Sequence, residues 1–216
     1  MVYTKAIREY CLQNEGIVFD ISKEYKNHFS MMPYKTFCKI LGRLEEEGTL
    51  VRESHGAYLT AKRGHTKKNQ VADYYTHDGH GLVIGYHFYN MIEITDYKDG
   101  KKEILTNLID SKTKKVGSTT LIRMNLYSFD NEYKSIIYAL ELIEKKYKII
   151  DCDIEKINRF IQIYLQDYND LVFEEIIKER KYRYSTVCTL DRLLSDIKKA
   201  NCCLRIYEEI DKDASK

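Results

Sequence analysis

The sequence predicts an α+β protein with two domains: a small helical domain that ends in a hairpin, and a larger domain with a small sheet. Within the first 60 residues, three helical segments precede two short extended ones. Extended segments recur between residues 82 and 126, and helical periodicity takes over from residue 131. The larger domain is therefore expected to have its sheet first and a helical C-terminal half.

Composition excludes several classes of protein before any motif is considered. The chain has 216 residues, of which 44% are hydrophobic and 31% are charged, with a single proline. This balance excludes collagen-like, low-complexity and disordered chains. No apolar run approaches the ~20 residues of a membrane helix, and Lys5, Arg8 and Glu9 interrupt any N-terminal signal sequence. We therefore expect a soluble, cytoplasmic protein with no membrane partner.

The six cysteines are expected to be reduced and structural. No pair has Cys-x-x-Cys spacing, and the adjacent Cys202 and Cys203 would point in different directions on a helix or a strand. Cysteines in a cytoplasmic chain usually behave as small hydrophobic residues. We therefore predict no disulfide, no bound metal and no cofactor.

Charge is unevenly distributed and indicates a domain boundary. Residues 1–60 hold eight basic and eight acidic residues, whereas residues 61–70 hold four basic residues and no acidic one. This pattern predicts a first domain at 1–61, a basic linker at 62–70 and a second domain at 71–216. The linker either lies along a DNA backbone or in a minor groove, or is simply solvated. Its basic residues are Lys62, Arg63, Lys67 and Lys68.

The most informative part of the first domain is residues 30–48. Asp20 is placed to cap a short helix before this segment, Pro33 suits the first turn of the next helix, and Gly48 suits its end. One face of that helix carries an apolar stripe of Phe37, Ile40, Leu41 and Leu44. The stripe predicts which side of the helix is buried.

Two short extended segments, 49–53 and 57–60, follow this helix and flank a Ser-His-Gly turn. Three helices and a hairpin in this order are typical of a winged helix-turn-helix, in which one helix enters the major groove of DNA. The acidic run at 45–47 would repel phosphate, so the N-terminal half of the helix is expected to face DNA. The predicted contact residues are Lys35, Thr36, Lys39 and Arg43 on the helix, with Arg52 and His55 on the wing.

In the second domain, turn signals separate short extended segments. Asp78-Gly79-His80-Gly81 predicts a loop, whereas residues 103–108 and 119–126 are apolar or β-branched enough to form strands. Residues 82–91 fit either a strand or a short helix through 86–91. Helical stripes follow, formed by Tyr133, Ile136, Ile137 and Leu140, then Ile154, Ile157, Ile161 and Leu165, then Leu171, Phe173, Ile176 and Ile177, and finally Leu190, Leu193, Leu194 and Ile197.

No catalytic set emerges, so we predict that the protein is not an enzyme. His77, Asp78 and His80 stand beside glycines and fit a turn better than a metal site. The Gly-Ser pair at 117–118 and the Asp-x-Asp triplet at 151–153 are similar to nucleotidyltransferase elements, but they lie too far apart, and the triplet fits a helix cap. The chain has no phosphate-binding loop and no nucleophile elbow.

A series of short motifs extends over nearly the whole chain. The motifs are Leu44-x-x-x-Gly48-x-Leu50-x-Arg52, Gly56-x-Tyr58, Gly81-Leu82-x-x-Gly85-Tyr86 with Asn90, Leu105-Thr106-Asn107, and Gly117 with the strand at 119–123 before a helix holding Leu140. Together with the domain order, they resemble the AbiEi-like antitoxins of type IV, abortive-infection toxin–antitoxin systems. Members of that family commonly have a proline-bearing stretch before the Thr-Asn strand, which residues 93–102 lack, so that loop is expected to differ.

The resemblance implies a function, partners and one structural detail. Such antitoxins bind double-stranded DNA in their own promoter region and repress their own operon. They also counteract a nucleotidyltransferase-type toxin encoded beside them, and a stable complex with that toxin is not required. The resemblance further implies that residues 86–91 form a short helix rather than a strand.

Several other functions fit the same sequence. A transcriptional regulator whose C-terminal domain senses a ligand would share the DNA-binding half. A metal-dependent nucleic-acid enzyme would use His77, Asp78 and His80. An adaptor would use its winged helix to bind only protein, and the basic residues would then form an ordinary solvated helix face.

Overall fold

The computed structural model describes residues 2–61 and 70–213 and has a mixed α+β architecture. Residues 62–69 of the predicted linker lie outside the described residues. The chain divides into two compact units, the first formed by Met1–Tyr75 with Lys115–Thr119 and the second by Thr76–Lys114 with Thr120–Lys216.

The first unit alternates helices with short strands. Its elements are α1 (Val2–Gln13), β1 (Val18–Asp20), α2 (Ile21–Glu24), α3 (Tyr34–Glu46), β2 (Leu50–Ser54), β3 (Ala57–Thr60) and most of α4 (Gln70–Thr76). The predicted cap is confirmed, since the Asp20 side chain accepts hydrogen bonds from the backbone N–H groups of Ser22 and Lys23. A π-helical turn at Tyr25–Phe29 extends α2.

The three strands of the first unit form an antiparallel sheet in the order β1–β3–β2. In this sheet Phe19 lies opposite Tyr58, and Val51 lies opposite Leu59. The β2–β3 hairpin is confirmed, and Gly56 takes a φ of 89° in its turn, a conformation that favours glycine. Strand β1 was not predicted, because three residues are too few to show an alternating pattern.

The core of the first unit fixes the orientation of α3. The predicted stripe is confirmed as buried, and Phe37, Leu41 and Leu44 have no exposed surface. The Phe37 ring lies 5.3 Å from the Phe29 ring and 6.2 Å from the Phe19 ring. Each such side chain contributes about 1.5–3 kcal/mol by burial, so the stripe holds this face of α3 against the core.

Helix α4 groups with the first unit up to Tyr75, whereas the charge pattern of the sequence predicted a second domain from residue 71 onward. The Tyr75 side chain is 1% exposed. Burial raises the pKa of the Tyr75 phenol, and the nearby Asp20 carboxylate raises it further. The electrostatic effect of Asp20 on Tyr75 indicates that α4 lies near the start of α2.

A four-stranded sheet precedes the helical half of the chain, and its residues other than Lys115, Val116 and Thr119 group with the second unit. Its strands are β4 (Gly81–Ile84), β5 (Lys102–Thr106), β6 (Thr113–Val116) and β7 (Thr119–Arg123), with helix α5 (Gly85–Met91) directly after β4. The strand order is β4–β5–β7–β6. Strands β4 and β5 are antiparallel, with Val83 opposite Ile104. Residues 82–91, which fitted either a strand or a short helix, therefore form the end of a strand followed by a helix.

The helical half consists of α6 (Asn131–Lys145), α7 (Ile154–Leu165), α8 (Asp170–Glu179), α9 (Tyr184–Asp196) and α10 (Cys203–Asp213). The stripe on α6 is buried at Ile136, Ile137 and Leu140. By contrast, Leu171 is 71% exposed, because it lies in the first turn of α8, where its backbone N–H donates to the capping side chain of Asn169. None of the described helices is long and apolar enough to cross a membrane.

A buried ion pair links two helices of this half. Arg180 follows α8 and donates from Nη2 to Oε1 of Glu141 on α6 over 2.7 Å. The Glu141 side chain is 2% exposed, so its charge is compensated almost entirely by Arg180 rather than by water. Buried charges of this kind are retained only when they are paired.

Candidate nucleic-acid interface

Helix α3 presents a cationic face opposite its buried stripe. The helix begins after Pro33, whose carbonyl accepts hydrogen bonds from the N–H groups of Thr36 and Phe37. Lys35, Lys39 and Arg43 are all exposed and follow one another at intervals of four residues. Successive residues at this interval are neighbours on a helix surface, and the three span about 12 Å at 1.5 Å per residue. The helix therefore carries a continuous row of positive charge.

These cations are free to bind an external anion. In the described part of the chain, Lys35, Lys39 and Arg43 have no acidic partner within ion-pair distance. An exposed, unpaired cation binds phosphate without first breaking an internal ion pair. The predicted helix residues therefore form one accessible surface, with the half-buried Thr36 at its flank.

The acidic run at the end of α3 is largely neutralised within the protein. Oε2 of Glu45 accepts from Nε of Arg52 at 3.2 Å, and Oε2 of Glu47 accepts from Nη2 of Arg8 at 2.6 Å. Only Glu46 of the run has no cationic partner among the described residues. The repulsion of phosphate that the sequence indicated is thus reduced to one carboxylate near the C-terminal end.

The wing residues are placed differently from the helix residues. Arg52 on β2 donates from Nη2 to the Tyr58 hydroxyl at 2.7 Å, and its guanidinium lies 5.2 Å from the centre of the Tyr58 ring. Tyr58, and then Glu45, raise the pKa of Arg52, whereas burial raises the pKa of Tyr58 against the opposing effect of Arg52. Arg52 is therefore engaged within the protein, while His55 is exposed at the tip of the turn.

An exposed apolar edge at the N-terminal end of α3 was not predicted from the sequence. Met31 is 92% exposed and Tyr34 is 49% exposed. The Tyr34 ring packs edge-on against Tyr25 at 4.9 Å, and a hydrogen bond with Cys38 raises the pKa of the Tyr34 phenol. Charge and periodicity do not single out these residues, because both are uncharged and neither belongs to the apolar stripe of α3.

Glu24 at the end of α2 forms a polar cluster with Tyr10 and His28. Glu24 is 5% exposed, and its Oε2 accepts from the Tyr10 hydroxyl at 2.7 Å. Burial, followed by the hydrogen bond to Glu24, raises the pKa of Tyr10. Nε2 of His28 lies 3.9 Å from the same carboxylate oxygen. The cluster ties α1 to the segment that leads into α3, and no local pattern in the sequence indicates it.

Two residues of the motifs weighed as enzyme elements, Asp153 and His80, make defined contacts within the protein. Asp153 caps α7 by accepting from the N–H of Lys156, as predicted. Nδ1 of His80 lies 3.1 Å from Oδ1 of Asn107, and its ring lies 5.6 Å from that of His77. Among the described residues, no group of three or more His, Cys, Asp or Glu side chains is placed to hold a metal ion.

The second unit contains a half-open cavity of about 230 Å³ beside α8 and α10. Ile177, Tyr207 and Ile210 provide its apolar lining. Most of the charged lining residues are paired, since Lys181 binds Asp211 and Lys178 binds Glu174. The remaining one, Glu179, accepts a hydrogen bond from the backbone N–H of Asn125 at 2.8 Å. The cavity is smaller than the roughly 300–1,000 Å³ of most ligand sites, so it is a weaker candidate site than the α3 face.

The chain matches none of the protein-family models, curated proteins or solved structures with which it was compared.

Proposed function

We propose that the first unit is a winged helix that binds double-stranded DNA through α3. The order α1–β1–α2–α3–β2–β3, with the antiparallel sheet order β1–β3–β2, supports this assignment. The observation that carries the proposal is the row of exposed, unpaired cations Lys35, Lys39 and Arg43 on a helix whose opposite face is buried. A helix of about 10–12 Å diameter fits the major groove of B-form DNA, which is about 12 Å wide.

Each predicted residue has a distinct role in this proposal. Lys35 and Lys39 contact phosphates or base edges from the N-terminal half of α3, with Thr36 beside them and Arg43 farther along the same groove. His55 and Arg52 lie on the wing and contact the neighbouring backbone. Because Arg52 already binds Glu45, it exchanges an internal ion pair for a phosphate and contributes less than the helix cations.

We further propose that the protein is an AbiEi-like antitoxin that represses its own operon and counteracts a nucleotidyltransferase-type toxin. The short helix α5 lies where the resemblance implies one. The Thr-Asn pair at the end of β5 also has a defined role. The Thr106 hydroxyl donates to the His80 carbonyl, and Nδ2 of Asn107 donates to the Leu126 carbonyl, both at 2.9 Å.

A titration tests the DNA-binding proposal. The full chain is added to a fluorescent duplex from the region upstream of its own gene and to a scrambled duplex of equal length, at two salt concentrations. We expect tight binding to the upstream duplex, weaker binding to the scrambled duplex, and a loss of affinity for both as salt rises. Equal and weak binding to both duplexes would leave the first unit as a protein-interaction module.

A growth assay tests the antitoxin proposal separately. The neighbouring gene is expressed from an inducible promoter with or without the full chain, each under an unrelated promoter so that repression plays no part. We expect the neighbouring gene to arrest growth and the chain to restore it. Unchanged arrest in the presence of the chain would favour a plain transcriptional regulator.

A further inference from the structure

Gly42 occupies the interior of α3, although the protein itself does not require a glycine there. Its backbone lies outside the positive-φ region, and a Cβ built on it meets no heavy atom within 4 Å. Glycine is the least favourable residue for a helix interior after proline, because it loses the most backbone freedom on folding. Neither conformation nor packing within the described residues accounts for it.

The position of Gly42 relative to the cations supplies a reason. It follows Lys39 by three residues and Lys35 by seven, and both spacings place residues on the same face of a helix. Arg43 is the next residue along the chain. The missing side chain therefore lies on the cationic face, between Lys39 and the exposed Glu46 one turn farther on, where the helix backbone is partly exposed.

We propose that Gly42 is the point at which bound DNA lies closest to the backbone of α3. The inference rests on the proposed DNA-binding function and adds how deeply α3 enters the groove of the DNA. The long lysine and arginine side chains can bend aside when DNA comes close to the helix. A side chain at residue 42 would occupy the space next to the backbone and keep the DNA farther away. Gly42 is thus a positioning residue: it lowers the stability of α3 and allows DNA to approach the helix backbone.

The test compares stability with affinity, because the proposal predicts opposite changes in the two. Gly42→Ala and Gly42→Leu are made in the full chain, with Ala6→Leu on the exposed side of α1 as a control for an added side chain. Since alanine and leucine are better helix formers, we expect Tm to rise by about 2–8 °C in both Gly42 variants. We expect Kd for the upstream duplex to rise about ten-fold for alanine and further for leucine, with little change for Ala6→Leu.

The outcomes separate this inference from the proposed function. If the wild type binds the upstream duplex and both Gly42 variants bind it equally well, the close approach at residue 42 is refuted and DNA binding stands. A fall in Tm for Gly42→Ala would also overturn the inference, because the glycine would then be required by the fold. If the wild type itself does not bind, the proposed function fails and the inference fails with it.

Discussion

Replacing both Lys35 and Lys39 with alanine should weaken binding to every DNA sequence and reduce its salt dependence. Both side chains are exposed and lack an acidic partner among the described residues, so each is free to displace one condensed counterion. Each phosphate contact contributes about 0.9 to the slope of log K against log salt. The magnitude of the slope should therefore fall by about 1.8 in the double variant. If the two proteins bind equally at 1 M salt, this difference in slope makes the variant roughly 60-fold weaker at 0.1 M salt.

The assay is a fluorescence titration of the upstream duplex at four salt concentrations. The matched control replaces Lys5 on α1 and Lys178 on α8, because both are exposed lysines paired with a glutamate four residues away. The control changes net charge by the same amount and should leave the slope unchanged. If the two double variants lose the same affinity and slope, the effect is one of overall charge and the assignment to α3 is refuted.

Further predictions concern the stability of the two units. Arg180→Ala should lower the free energy of unfolding by about 3 kcal/mol in a urea titration, because it leaves the Glu141 carboxylate buried without its partner; a loss below 1 kcal/mol would contradict this. Leu44→Ala should cost about 2–5 kcal/mol, since the side chain has no exposed surface, and its effect should appear as a shifted midpoint of far-UV circular dichroism. Burial raises the pKa of Cys11 and of Cys203 to about 12. In the unfolded chain these thiols ionise near pH 9. The buried thiols therefore stabilise the fold fully below pH 9, and the free energy of unfolding falls as pH rises above it, by about 2 kcal/mol per thiol at pH 10.5. Urea titrations at pH 8 and 10.5 check this, and equal stability at both would contradict it.

The elements that the sequence predicted correctly depend on neighbours within a few residues. The apolar stripe of α3 repeats every three or four residues, so the burial of Phe37 and Leu44 also implied which residues face solvent. Asp20 and Asp153 cap their helices through backbone groups two or three residues away. Such local interactions are visible in sequence because helix geometry fixes them.

The features that sequence did not predict depend on pairs far apart along the chain. Strand β1 exists because Phe19 pairs with Tyr58 on β3. Glu45 is neutralised by Arg52 only because the hairpin folds back beside the end of α3, and Glu141 meets Arg180 only once α6 and α8 pack together. Composition and periodicity carry no information about which distant residues meet.

The proposed function depends on contact between the cationic face of α3 and double-stranded DNA. Site-specific photocrosslinking tests it most directly, with benzoylphenylalanine placed in the full chain at residue 39 on α3 or at residue 5 on α1. Both positions are exposed lysines on helices of the first unit. We predict a crosslink to the upstream duplex from residue 39 and none from residue 5. Crosslinks from residue 5 alone, or equal crosslinking from both, would contradict the claim.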